Sequence, residues 1–81
     1  MANKKGLVQQ VADSIYQMIL TEKKYNPGDR LPGENILAAQ LNVGRSTLRE
    51  AIRILVSQGI LVVYRGKGTF INTEITAFQN L

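Results

Sequence analysis

Residues 34–59 read ENILAAQLNVGRSTLREAIRILVSQG, two apolar-periodic runs parted by Asn42-Val43-Gly44. In the first, Ile36, Leu37, Ala38, Ala39 and Leu41 predict a short helix over Glu34–Leu41, with Gly33 at its N-cap and Glu34 favourable against the helix dipole. The second predicts a helix from about Arg45 to Ser57, stopped at Gln58-Gly59, where a glycine suits the left-handed position past a helix end. On this second helix Leu48, Ala51, Ile52 and Leu55 form an apolar stripe. Arg45, Ser46, Arg49 and Arg53 fall within about 100° of one another on a different side. Two helices joined by a tight glycine-containing turn, the second of them basic, make the helix-turn-helix pattern.

Toward the N-terminus, Leu7, Val8, Val11, Ala12, Ile15, Met18 and Ile19 recur at spacings of three and four, which predicts an amphipathic helix over 7–21. Asn26-Pro27-Gly28-Asp29 then reads as a turn. Arg30-Leu31 has room only for a short extended piece before Pro32 limits any ladder. Toward the C-terminus the chain reads ILVVY, RGKG, TFIN over 60–72, two β-branched runs about a glycine-rich turn, which predicts a two-stranded hairpin. The expected fold is therefore α+β, three helices followed by a β-hairpin wing over 1–72. The tail 73–81, with Ile75 and Phe78, leaves room for a short helix, a docking segment or the start of a linker.

Composition narrows the function. The chain has 81 residues, 44% hydrophobic and 20% charged, within the globular range. With no cysteine and no histidine, disulfide and thiolate chemistry are excluded, as are the common zinc and general-base constellations. The carboxylates Asp29, Glu34 and Glu50 have no partner pattern of an active site, so no enzyme, metal or cofactor is expected. Polar residues from Gln9 to Gln17 interrupt any signal-peptide or membrane-spanning run, and the chain reads as soluble and cytoplasmic.

The charge is concentrated. Arg45, Arg49, Arg53, Arg65 and Lys67 against Glu50 place all of the net +4 between residues 44 and 68, while the charges elsewhere balance. Such local excess points to a polyanion. Arg45, Ser46 and Thr47 occupy the first turn of the basic helix, where unpaired N–H groups and the dipole favour an anion. Arginine is also the side chain shaped to grip guanine O6 and N7 with two donors. Arg65, Gly66 and Lys67 add a basic turn beside it. Each feature has a bland reading: a solvated face in which Glu50 pairs with Arg53, and an ordinary hairpin turn. The run GKGT at 66–69 is not a nucleotide loop, because Gly68 interrupts the motif and a strand follows. A second reading is an interaction module whose basic face docks on an acidic protein.

The segment PGDRLPGENILAAQLNVGRSTLREAIRILVSQGILVVYRGKGTFI resembles the winged helix-turn-helix domain of the GntR family of bacterial transcriptional regulators, over residues 7–72. The resemblance implies sequence-specific binding of double-stranded DNA, with helix 45–57 in the major groove and the wing 65–68 in the minor groove or along the backbone. By position it implies DNA contacts for Arg45, Thr47 and Arg49, a neighbouring polar contact for Ser46, and a wing tip at Arg65 and Gly66. Lys67 joins the wing by its charge, and Arg53, further along the helix, is expected to meet phosphate or solvent. Palindromic operators, homodimers and a C-terminal domain that senses a small molecule are further implications; the nine residues after Asn72 are too few for such a domain. Gly33 and Gly44 stand where the family usually has capping hydroxyls, and Asn35 where many members have a backbone-contacting arginine.

Overall fold

The computed structural model describes residues 4–74. The expectations for Ile75 and Phe78 lie outside the described residues. Three helices precede one antiparallel hairpin: α1 (Lys4–Leu20), α2 (Glu34–Leu41), α3 (Arg45–Ser57), β1 (Leu61–Tyr64) and β2 (Gly68–Ile71). This is the expected α+β winged helix-turn-helix.

α3 is the centre of the packing, touching α1, α2 and β1. Its Leu48, Ala51 and Leu55 are buried in one cluster with Val8, Val11, Ala12, Ile15 and Ile19 of α1, Leu37 and Ala38 of α2, and Leu31, Ile60, Leu61 and Ile71. Each fully buried leucine or isoleucine contributes about 1.5–3 kcal/mol relative to exposure. Burying the α3 stripe from three sides turns its arginine side outward, where Arg45, Arg49 and Arg53 are exposed.

α1 starts earlier than its apolar stripe, because Lys4 and Lys5 need only intrahelical bonds to extend it. Leu7, read as part of the stripe, is 40% exposed and packs little. α2 ends as the sequence suggests: Asn42 takes left-handed dihedrals, φ 58 and ψ 46, and its N–H donates to Ala39. Asparagine tolerates that region better than most residues. After α3, Gly59 adopts φ 78, and Ile60 N–H donates to the Leu55 carbonyl at 2.9 Å, turning the chain into β1.

In the hairpin Leu61 pairs with Ile71, Val62 with Phe70, Val63 with Thr69 and Tyr64 with Gly68. The pairing of Gly68 shortens the turn to residues 65–67, one residue less than the sequence implies, because a glycine at φ 126 can hold the last rung of the ladder. The Arg30-Leu31 piece adds a single antiparallel bridge, Arg30 to Phe70. Leu31 N–H donates to Thr69 O and Ile71 N–H to Asp29 O, both at 2.8 Å. Pro32, with no N–H, ends the ladder there.

Candidate nucleic-acid interface

Two features carry the candidate residues. On α3, Arg45, Ser46, Arg49 and Arg53 are exposed and Thr47 is half-buried; on the wing turn, Arg65, Gly66 and Lys67 are exposed. Among the described residues, none of the buried side chains is polar or charged, so every group able to read a ligand lies on the surface.

The N-terminus of α3 is open. Its N-cap, Gly44, is extended at φ −74 and ψ 160 and supplies no side-chain cap. The first helical bond runs from Leu48 N–H to Gly44 O at 3.1 Å, so the N–H groups of Arg45, Ser46 and Thr47 have no carbonyl within the helix to meet. Those donors and the positive dipole end meet at the start of the helix, in the turn that carries Arg45 and the hydroxyls of Ser46 and Thr47. The arrangement is suited to phosphate oxygens.

The arginines do not simply wave in solvent. Arg49 Nε donates to Glu34 Oε2 at 2.7 Å and its Nη2 to Glu34 Oε1 at 3.0 Å, a two-pronged bond across α2 and α3. Arg45 Nη1 donates to Asn35 Oδ1 at a longer 3.4 Å. The hydrogen bonds from Arg49 hold the Glu34 carboxyl below its ordinary range; desolvation opposes this, and the charges of Arg49 and Arg45 assist. The same bonds raise the Arg49 guanidinium further above neutrality. An arginine has five N–H donors. With two spent on Glu34, the Nη1–Nη2 edge of Arg49 keeps the paired donors that a guanine needs.

This corrects the bland reading of the helix. Among the described residues Glu50 makes no ion pair with Arg53; the acidic partner is Glu34, bonded to Arg49. Glu34 and Asn35 thus belong to the site as holders of its arginines, a role the sequence did not assign them. In the sequence Glu34 is a carboxylate favourable to the dipole of its own helix, with nothing to tie it to α3. Its bond to Arg49 depends on the crossing of α2 over α3, which no local spacing encodes.

Among the described residues no group of three or more histidine, cysteine, aspartate or glutamate side chains could hold a metal ion. No described helix is long and apolar enough to cross a membrane.

Residues 7–71 match the profile of the bacterial regulatory proteins of the gntR family. A regulatory protein attributed to the L-lactate dehydrogenase operon of Escherichia coli strain K12 is 48% identical over 65 residues, covering 80% of this chain and 25% of that protein. The chain thus spans about a quarter of the length of the curated relatives it matches. A GntR protein of Streptococcus agalactiae superposes with a TM-score of 0.76 at 48% identity, over 83% of this chain and 32% of that one. The DNA-binding domain of AraR, solved in complex with operator ORX1, superposes with a TM-score of 0.73 at 39% identity, over 88% of this chain and 81% of that one.

Proposed function

The chain belongs to the gntR family of bacterial regulatory proteins, and from that membership we propose that it binds double-stranded DNA sequence-specifically as the DNA-binding domain of a transcriptional regulator. α3 enters the major groove, and the wing turn follows the adjacent minor groove or the backbone. Arg45 and Arg49 contact bases or phosphate, Ser46 and Thr47 bond near the helix start, Arg53 meets phosphate, and Arg65, Gly66 and Lys67 form the wing contact. The domain performs no chemistry; its output is occupancy of an operator.

One observation carries the reading: the Glu34 clamp on Arg49. A solvated arginine serves any anion, but a guanidinium fixed in its plane with one edge turned away from its carboxylate is prepared for a planar, two-acceptor target. The open start of α3 then supplies the phosphate contact that sets register. The AraR domain, solved on operator DNA and alike over most of this chain, supports DNA as the partner.

Binding as a homodimer to a palindromic operator follows from the same reading, since two half-sites about one helical turn apart multiply a weak single contact. A small-molecule signal would act through parts of a longer regulator. Selection of bound duplexes from a randomised pool, repeated at several salt concentrations, tests the proposal. Enrichment of one short motif supports it. Binding blind to sequence would reduce the surface to an electrostatic patch, and no binding at low salt would favour an acidic protein as partner.

A further inference from the structure

The wing is flanked by a cation that its own turn does not supply. Arg30 lies between the 26–29 turn and Pro32, in the part of the chain whose charges balance. Its bridge to Phe70 brings it to the hairpin. Bridged residues share a sheet face, so Arg30 stands in a row with Phe70 and Val62, on the face opposite the buried Leu61 and Ile71.

From there its side chain runs forward along the strand toward the turn. A Cβ on Gly68 would lie 2.6 Å from Arg30 Nε and 3.4 Å from its Cδ and Cζ. The side chain therefore lies across the backbone of Gly68, and only a glycine leaves it that course. Arg30 is exposed, and among the described residues its guanidinium makes no ion pair; the two pairs present are Lys24 with Glu22 and Arg49 with Glu34. The neighbouring Asp29 carboxylate accepts the Asn26 N–H at 2.8 Å. The result is a guanidinium with no carboxylate partner, its stem lying over Gly68 of β2, the residue that follows the Arg65-Gly66-Lys67 turn.

We propose that Arg30 is a phosphate contact of the wing, gripping the backbone ridge that borders the groove the turn approaches. This rests on the DNA-binding reading and extends it to a residue that neither the helix-turn-helix nor the turn contains. Position decides for phosphate over base: the Arg30 Cα is opposite Phe70, two residues or roughly 7 Å of strand behind Gly68. A turn directed into a groove leaves that point at the groove's edge, where the phosphates are. Gly68 thereby has two functions, closing the hairpin at a positive φ and giving Arg30 its bed.

The test uses the whole chain with Arg30→Gln, which keeps a polar stem and removes the charge, and Arg30→Lys, which keeps the charge. Affinity for a selected duplex and for a scrambled one is measured by fluorescence anisotropy between about 50 and 200 mM salt, with a thermal melt of each variant. Loss of one phosphate contact lowers the slope of log K against log salt by about 0.9, so the advantage of wild type over R30Q shrinks about 3.5-fold across that range. R30Q weakens both duplexes by the same factor, and R30K retains the wild-type slope. An unchanged slope in R30Q would overturn the proposal. So would a loss confined to the selected duplex, or a slope lost equally in R30K. A wild-type chain that bound neither duplex would overturn the DNA reading itself, a different failure.

Discussion

Replacing Arg49 by lysine separates charge from shape at the centre of the site. The charge is retained, so the sequence-independent attraction to phosphate and its salt slope should stay as they are. The fork is not retained. Arg49 spends Nε and Nη2 on Glu34, at 2.7 and 3.0 Å, and keeps a second edge for DNA; an ammonium on a flexible stem cannot hold a carboxylate with two parallel bonds and present two more to a base. A bidentate base contact discriminates by about 1–3 kcal/mol per base pair, equivalent to about 5- to 140-fold in affinity. Arg49→Lys should therefore weaken binding to the selected duplex by that factor while leaving a scrambled duplex within about twofold, a collapse of discrimination at nearly constant salt slope. Fluorescence anisotropy on both duplexes, with Arg49→Ala in parallel to lose charge as well, gives all the numbers needed. Equal loss on both duplexes, or none on either, would refute the claim that Arg49 reads a base.

Lys67→Ala should lower the salt slope by about 0.9 without changing sequence preference, as measured by the same titrations. Leu55→Ala, at a residue 1% exposed under α1, should cost about 2–5 kcal/mol in denaturant melts, a large share of what so small a domain has. Gly33→Ser and Gly44→Ser restore missing caps where an added side chain meets nothing within 4 Å; each should gain a few tenths of a kcal/mol, about 1–3 °C in Tm. The Glu34 carboxyl, lowered chiefly by its hydrogen bonds with Arg49, adds stability that is present above the ordinary carboxylate range and lost as pH falls through its lowered value. Thermal melts of Glu34→Gln should accordingly show a shallower acid dependence than wild type, and a steeper one would contradict the sign.

The helices of the site were legible because their ends are written in residues with strong local preferences. Gly33, Asn42, Gly44 and Gly59 mark the limits of α2 and α3, and both helices have the bounds the sequence implies. The start of α1 was not legible, since its first residues carry no apolar period. The arginine side of α3 was visible as a charge excess, but not what holds it. The bond from Arg49 to Glu34 and the approach of Arg30 to Gly68 both join residues far apart in sequence. Each depends on a crossing of elements fixed by the buried cluster around Leu48 and Leu55, and side-chain spacing within one element cannot reveal it. Charge counting in fact hid Arg30, because its sign is cancelled on paper by acidic residues that, among those described, do not pair with it.

Amide chemical-shift mapping during titration with the selected duplex tests the central claim most directly, because it asks which surface the DNA touches. The largest shifts should fall on residues 44–49 at the start of α3 and on 65–68 of the wing, with little change along the exposed side of α1. Shifts centred on α1, with the start of α3 and the wing unmoved, would contradict the assignment of that surface to DNA.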